Sequence, residues 1–406
     1  MKVKNVDIIT SPDNADRVRL VGDVVYDAPN LKPEQYWFEV DKKYKDDISI
    51  TGNPWLVCLI PLAVTLGEPI ELCCPVDKVL FKNVQELMKI WKSWYSHLHI
   101  VPIEAELLDV SELVNGKKVV AFFSGGVDSF FTILRPENNN IENLITVHGF
   151  DVPIENVNAF IRMEKSLDKV AREIGSNLVS VTTNLRKTSL EKAGWGQLYF
   201  GSTLASVGLF LEPMYKKVLI ASGGEGFALS AWGSHPLTDP LYSTSRMEVV
   251  HDSLAITRMQ KLEFISNFKI AQNHLRVCWQ GRSYENCCAC PKCYRTMAAL
   301  SVLGVLDKFP SFRTNTFDIS KASRIYLHKP DKPFFEQIMK VAEENNIKDI
   351  LLAIQKSYTY SDRLDTFLPI VRQFDNWLRK FFRKKRFLWR LAELSLEKKL
   401  LRNSIA

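Results

Sequence analysis

The chain has 406 residues, of which 46% are hydrophobic and 24% charged, and its formal net charge is +7. These values are ordinary for a globular protein, and the length is enough for two or three domains. The longest apolar stretch, residues 55–66, is interrupted by Pro61 and is shorter than the roughly 20 residues that a membrane-spanning helix needs. Because no signal peptide or transmembrane segment is recognisable, we expect a soluble, cytoplasmic protein.

Residues 1–115 are predicted to form an α+β domain that ends at an Asn115-Gly116 turn. Its strand-like patterns lie at residues 18–26, 34–40, 56–60, 70–74 and 100–107, and a helical pattern lies at residues 79–97. The residues point to no chemistry here. We expect this domain to pack on the next one, where it shapes substrate access or binds a partner.

Residues 116–305 alternate between predicted strands (119–123, 142–148, 178–183, 217–221) and predicted helices (128–134, 155–174, 197–211, 292–303). This alternation predicts an α/β domain with a doubly wound parallel sheet. Ligands of such sheets bind outside the carboxyl ends of the strands. The segments predicted to lie near the ligand are therefore 124–129, 148–151, 182–186 and 222–226.

The segment after the first of these strands reads Ser124-Gly125-Gly126-Val127-Asp128-Ser129. Adjacent glycines let backbone N–H groups turn toward one anion, and the following helix adds free donors and its positive dipole end. Ser124 and Ser129 add hydroxyl donors, whereas Asp128 would need a cation such as Mg²⁺ beside a phosphate, or would cap the helix. The simpler alternative is a tight turn without a ligand.

Five of the eight cysteines fall within sixteen residues, and four of them have the spacing C-x8-C-x2-C-x2-C: Cys278, Cys287, Cys290 and Cys293. Four thiolates can complete a closed tetrahedral zinc site, which is structural because it leaves no open position. A disulfide or redox role is the alternative, but a reducing compartment disfavours it. We interpret Cys288 as a spare thiol.

The hexapeptide at 124–129 resembles the signature of the PP-loop, or N-type, ATP pyrophosphatase superfamily. The cysteine spacing downstream resembles the 7-cyano-7-deazaguanine synthase family within it, and the resemblance covers about residues 117–305. It implies an adenine nucleotide alpha hydrolase-like fold that binds ATP, Mg²⁺ and Zn²⁺. It also implies that a carboxylate, such as that of 7-carboxy-7-deazaguanine, is adenylated with release of pyrophosphate. An amine then gives an amide, which the family dehydrates to a nitrile.

The same resemblance places ATP on residues 124–129, with Ser124, Asp128 and Ser129 in catalytic roles, and Val147 and His148 near the adenine. The chain departs from the synthases after the second strand, where Val147-His148-Gly149-Phe150-Asp151 replaces a Tyr-Gly-Gln-Arg-His-like turn. It is also longer at both ends. Longer, divergent relatives resemble components of bacterial anti-phage operons, in which a protein amine could replace ammonia, so the acceptor remains open.

Five further residues are candidates for binding ligand. Arg186 could reach a phosphate or could be a solvated surface arginine. Trp195 could stack on a planar base, and Trp232, His235 and Asp239 lie in a polar, proline-containing loop suited to the edge of a heterocycle. His235 could act as an acid or base, although a lone histidine is more often structural.

Residues 306–406 are predicted to be helical, with helix-like spacing at 334–345 and 362–401. Residues 331–406 hold 16 Lys/Arg and 10 Asp/Glu, and residues 379–390 interleave cations with aromatics. This pattern suits an anionic partner, nucleic acid or a membrane surface, or simply a solvated basic face. A protein partner is the preferred functional interpretation.

Two other functions compete with the adenylating ligase. One is a PP-loop enzyme that modifies a tRNA base, which the basic tail favours slightly. The closed four-cysteine pattern argues against it, because a sulfur relay needs an exposed thiol pair. The other is a non-catalytic nucleotide-binding module of a defence complex.

Overall fold

The computed structural model describes residues 1–108, 116–223, 230–278, 284–314, 317–328 and 331–382. It divides into two compact units, Met1–Lys261 and Leu262–Ala406. The predicted domain boundaries at 115 and 305 remain predictions. Residues 109–115, beside the first of them, lie outside the described part.

Among its described residues, the first unit is an α/β structure built on one mixed, mostly parallel sheet of ten strands, which confirms the predicted α/β class. Its strands, in chain order, are β1 (Lys2–Thr10), β2 (Arg17–Val25), β3 (Glu34–Asp41), β4 (Ile70–Leu72), β6 (Ile103–Glu104), β8 (Lys118–Phe122), β9 (Ile141–His148), β10 (Asn177–Thr183), β11 (Tyr215–Ala221) and β12 (Glu248–Asp252), while β5 (Val76–Asp77) and β7 (Leu107–Leu108) form a separate pair. The helices of this unit are α1 (Asn53–Leu66), α2 (Lys78–Trp94), α3 (Val127–Leu134), α4 (Val157–Glu173) and α5 (Phe200–Phe210).

Five strands form the parallel half of the sheet, in the order β12-β11-β8-β9-β10. Starting from β8, the chain moves through β9 to β10 and then returns to the other side of β8 with β11 and β12. The order therefore reverses between β8 and β11. In open α/β sheets a crevice for ligands lies outside the strand ends at such a reversal. The four strands predicted in this region are all present, within one or two residues of their predicted bounds.

The N-terminal strands extend the same sheet. The antiparallel strands β1, β2 and β3 join it where β3 pairs with β10. Arg17 of β2 strengthens this junction, because its Nη2 donates to Ser180 O at 3.1 Å and to Thr182 Oγ1 at 3.3 Å. Strands β4 and β6 then add in parallel beyond β1.

Residues 56–60 differ from their predicted secondary structure. Residues 56–60, predicted as a strand, lie inside α1, which is buried on nearly every side and so shows no polar face to reveal a helix. Pro54 lies in the first turn of this helix, and Gly67 ends it in the left-handed conformation with φ 73°.

A hydrophobic core cluster of the first unit includes residues of the sheet and of helices α1 and α5. Phe38 of β3 forms its centre, with ring centroids 5.6 Å from Trp55 of α1 and 5.5 Å from Phe210 of α5. Residues from both the N-terminal and the parallel halves of the sheet contribute to this cluster. The two halves are therefore held by one continuous core.

The second unit is helical among its described residues, as predicted for 306–406. Helix α6 (Arg258–Ile265) contains the division between the units, and it is followed by α7 (Lys269–His274), α8 (Pro291–Val302), α9 (Ile319–Ala322), α10 (Lys332–Glu344) and α11 (Lys348–Phe382). Arg295 of α8 donates to Asp331 at 2.6 Å and lies 4.3 Å from the ring centroid of Phe334. Most of the basic segment 379–390 lies outside the described residues. Among the described residues, the search for a helix long and apolar enough to cross a membrane found none.

Candidate functional site

The glycine-rich segment 124–129 connects β8 to α3 at the point where the strand order reverses. Gly125 has φ 77°, a conformation that favours glycine, and Gly126 precedes the first residue of α3. The amide of Phe130 donates to Gly126 O at 2.9 Å, so the preceding amides of the first turn have no acceptor within the helix. The Ser124 hydroxyl is half-buried and makes no hydrogen bond to the described residues, whereas Ser129 Oγ donates to Gly126 O at 3.1 Å. The predicted strand, turn and helix N-terminus are thus present at this segment, while anion binding by it stays a prediction.

Asp128, in the first turn of α3, is held by two cations that the sequence interpretation did not include. Arg258 Nη2 donates to its Oδ2, and Lys261 Nζ lies 3.5 Å from its Oδ1. Lys261 is only 1% exposed and also donates to Ser222 O at 2.6 Å. Burial lowers the pKa of Lys261, although the Asp128 carboxylate opposes that shift.

These contacts bring the ends of two strands together. Ser222 and Gly223 follow β11, and a Cβ built on Gly223 would lie 3.8 Å from Asp128 Oδ2. The predicted neighbourhood of segments 124–129 and 222–226 is therefore confirmed for Ser222 and Gly223, while residues 224–226 lie outside the described part. The sequence feature that could have indicated these cations is the pair Arg258 and Lys261, three residues apart and shortly after the end of β12.

Asp252 anchors the same helix from the neighbouring strand β12. Its side chain accepts hydrogen bonds from Thr132 Oγ1 of α3 at 2.7 Å and from Arg135 just beyond α3. The backbone carbonyl of Asp252 accepts from Ser222 N at 2.9 Å. Asp252 therefore fixes α3, and with it the glycine-rich segment, against β11 and β12.

A second group of candidates lies at the carboxyl ends of β9 and β10. His148 stacks on Phe160 with ring centroids 4.2 Å apart, its Nε2 lies 3.2 Å from Pro153 O, and burial lowers its pKa. Val147, its neighbour on β9, is buried in the core cluster. Gly149 follows with φ 102°, and a Cβ there would lie 2.2 Å from Thr183 O of β10.

Arg186 and Trp195 form one stacked unit near these strand ends. The Arg186 guanidinium lies 4.4 Å from the Trp195 ring centroid and donates from Nη1 to Phe150 O at 2.8 Å. Trp195 also packs on Phe150, with centroids 5.2 Å apart. Arg186 is thus half-buried and oriented by an aromatic ring, and it is not the freely solvated side chain of the simpler interpretation.

The loop that carries the other substrate candidates has an exposed part and a buried part. Trp232 is 46% exposed and lies on Gly196, where a Cβ would be 2.4 Å from its ring. His235 is buried, packs edge-on against Trp94 at 4.7 Å, and accepts the Leu237 N–H on Nδ1 at 3.1 Å. Asp239 is fully buried and accepts hydrogen bonds within the loop and from His251. Of these three, Trp232 is the side chain that faces solvent.

In the second unit, the four predicted ligands form a cluster that could hold a metal: Cys278, Cys287, Cys290 and Cys293. Their sulfurs all lie within 4.8 Å of one another, and the Cys287 and Cys293 sulfurs are 3.8 Å apart. A tetrahedral zinc site with Zn–S bonds of about 2.3 Å has sulfur–sulfur edges of about 3.8 Å, so the arrangement fits zinc. The hydrogen bond with the Cys278 sulfur is the main cause that raises the pKa of Cys290 to about 12, and metal binding would have to displace such protons.

Asn286 connects the segment that carries Cys278 to the segment that carries Cys287, Cys290 and Cys293. The sequence analysis did not identify it as a functional residue. Its Oδ1 accepts from Val277 N at 2.9 Å and from Cys278 N at 3.3 Å, and its Nδ2 donates to Leu275 O at 2.8 Å. On the second segment, Pro291 begins α8 and so places Cys290 and Cys293 at its first turn. The only signal for Asn286 was its position beside Cys287.

Comparisons of the chain with protein-family models, with curated proteins and with solved structures found no match.

Proposed function

We propose that this protein is an ATP-dependent ligase of the PP-loop type that adenylates a carboxylate, releases pyrophosphate and then forms a carbon–nitrogen bond with an amine. The observation that carries the proposal is the glycine-rich turn at residues 124–129. It joins β8 to α3 at the reversal of strand order, with Arg258 and Lys261 beside it.

The residues of this turn suit a triphosphate. Backbone amides from Gly125 to Ser129 and the α3 dipole favour negative charge, and the Ser124 hydroxyl is available as a further donor. Lys261 and Arg258 neutralise the charge that develops as pyrophosphate leaves, and such electrostatic stabilisation is a large part of phosphoryl-transfer catalysis. Asp128 either positions these cations or shares a Mg²⁺ with the phosphates. When bound, Mg²⁺ would supply further charge neutralisation.

The substrate proposed from the resemblance is a deazapurine carboxylate such as 7-carboxy-7-deazaguanine. Trp195, with Arg186 stacked on it, and the exposed Trp232 offer flat surfaces for a heterocycle. The buried side chains of His235 and Asp239 support the loop that carries Trp232. The nitrogen donor is ammonia or an amine of a protein, the latter in a bacterial anti-phage defence setting. Zinc at the four cysteines is a structural cofactor in this proposal.

The direct test is whether pyrophosphate forms from ATP only when the carboxylate is present. We expect the double variant Ser124→Ala/Asp128→Asn to lose pyrophosphate release at least 100-fold, on the order of the loss of one transition-state donor. Asparagine is preferred to alanine at position 128 because its side-chain amide oxygen can still accept a hydrogen bond from the buried Lys261. Ser93→Ala, on the exposed face of α2, is the matched control.

Two outcomes would contradict the proposal. One is a double variant that remains folded and turns over normally. The other is a wild-type protein that binds ATP but releases no pyrophosphate with any deazapurine carboxylate, which is the behaviour of a non-catalytic nucleotide-binding module.

A further inference from the structure

His251 lies near the end of β12 and pairs with Asp239 of the loop that carries Trp232. His251 Nδ1 is 2.8 Å from Asp239 Oδ2. The same carboxylate accepts from Ser234 Oγ at 2.6 Å and from His235 N at 3.2 Å. An ionised carboxylate only accepts hydrogen bonds, so Nδ1 donates to it, and the neutral imidazole then carries its free lone pair on Nε2.

His251 Nε2 is buried without a protein partner in the described part of the chain. The side chain is 5% exposed, and Nε2 makes no hydrogen bond to any described residue. A buried polar atom left without a hydrogen-bond partner is unfavourable, so such an atom calls for an explanation. Ser253, two residues later, has φ 61°, and its buried hydroxyl likewise has no partner among the described residues. Backbone strain and unsatisfied polar atoms together are typical of ligand sites.

The pair lies at the same sheet edge as the proposed ATP site. His251 is paired with Ile220 of β11, and the preceding residue of β11, Leu219, is paired with Ala121 of β8. His251 is thus two strand spacings, about 10 Å, from the strand that leads into the glycine-rich turn. Side chains alternate along β12, so His251 lies on the sheet face opposite Asp252, which contacts α3.

We propose that His251 Nε2 is the base that accepts a proton from the nitrogen nucleophile, with Asp239 as its positioning residue. This inference rests on the proposed function. The nitrogen forms a bond to the acyl carbon, the bond from that carbon to the AMP oxygen breaks, and AMP leaves with the electron pair. The proton lost by nitrogen moves to Nε2, and the Asp239 carboxylate stabilises the resulting imidazolium.

The test compares two nucleophiles in the variant His251→Asn. Asparagine can keep a donor near the position of Nδ1, and so the link to Asp239, but it has no counterpart of Nε2. Ammonia is mostly protonated near neutral pH, so its attack depends on a base that accepts a proton from nitrogen. Hydroxylamine is mostly neutral at this pH, so its attack depends much less on such a base. We expect amide formation from ammonia to fall about 10²–10⁴-fold, the usual contribution of a general base. Hydroxamate formation and carboxylate-dependent ATP–pyrophosphate exchange should change little. His97→Ala, an exposed histidine, is the control.

The proposal is overturned if folded His251→Asn forms amide at the wild-type rate, or if it loses hydroxamate formation and exchange to the same degree as amide formation. If His251→Asn does not fold, His251→Ala with added imidazole decides: recovery of amide formation supports the base role, and no recovery in folded protein refutes it. Absence of exchange in the wild-type protein would show that the proposed function itself has failed, and this inference with it.

Discussion

Asp128 is shared between Arg258 and Lys261, and this sharing determines how the proposed ATP site is charged before a nucleotide binds. A triphosphate would compete with Asp128 for both cations. The hexapeptide was enough to predict a glycine-rich turn that leads into a helix, because its glycines and serines are local in the sequence. It could not predict the cations, which reach it from about 130 residues later in the chain.

Lys261 should matter for chemistry more than for folding. We expect Lys261→Met to lower carboxylate-dependent pyrophosphate release about 10²-fold or more, since a charge that stabilises the transition state is lost. The free energy of unfolding should change by less than about 1 kcal/mol, because methionine fills the volume and Arg258 still pairs with Asp128. Lys89→Met, a 60% exposed lysine on α2, is the control. A variant that unfolds, or that keeps full activity, would contradict this role.

His148 should make stability sensitive to acid. Burial lowers its pKa below the usual 6.5, so below about pH 6.5 the unfolded chain takes up a proton that the folded protein does not. Stability is therefore lost as the pH falls toward the folded-state value. In His148→Phe, which can keep the stacking on Phe160, the free energy of unfolding should fall less between pH 7.5 and 5.5 than in the wild-type protein. The free energy of unfolding is measured with urea at both pH values. An equal decrease in the variant and the wild-type protein would show that His148 is not responsible.

At the scale of elements, predictions succeeded where one face of a helix or a run of apolar residues was distinctive. The strands of the parallel half and helix α4 were of this kind. Helix α1 was not, because its burial on nearly every side removes the polar positions that would show a helical period. Strand β1 was not predicted, because its residues are mostly exposed or half-buried and show little apolar pattern.

The turn between β9 and α4 should depend strictly on Gly149. Alanine there would meet Thr183 O and would adopt an unfavourable φ of 102°, so we expect Gly149→Ala to lower the free energy of unfolding by roughly 3 kcal/mol or more. Gly175→Ala is the matched comparison, since φ is 76° and the Cβ meets nothing within 4 Å; its cost should be about 1 kcal/mol. Equal costs in thermal or urea unfolding would contradict the close approach of β9 and β10.

The four-cysteine segment should carry zinc. We expect about one zinc per chain by metal analysis, lost in Cys290→Ser and retained in Cys288→Ser, which changes the spare thiol of the same segment. Asn286→Ala should weaken zinc binding about 10–100-fold, the usual effect of losing a residue that orients ligands. Protein that contains no zinc when purified in its presence would remove the metal from the account.

At the scale of the whole molecule, the sequence predicted the α/β class and the parallel strands, but not the extent of the sheet. Joining β3 to β10 requires two segments about 140 residues apart to pair, and no local pattern specifies such a pairing. The same limit applies to the pair formed by Asp239 and His251. The motif at 124–129 and the cysteines were recognisable because each is contiguous or regularly spaced.

The central claim is that the turn at Gly125 and Gly126 holds the triphosphate of ATP. Its most direct test is a crystal structure with Mg²⁺ and an ATP analogue that has a methylene group between the α- and β-phosphates, which prevents cleavage there. The account predicts that the β- and γ-phosphates lie on the backbone amides of residues 125–129, with Lys261 and Arg258 beside them. A nucleotide bound elsewhere, with this turn empty, would contradict it.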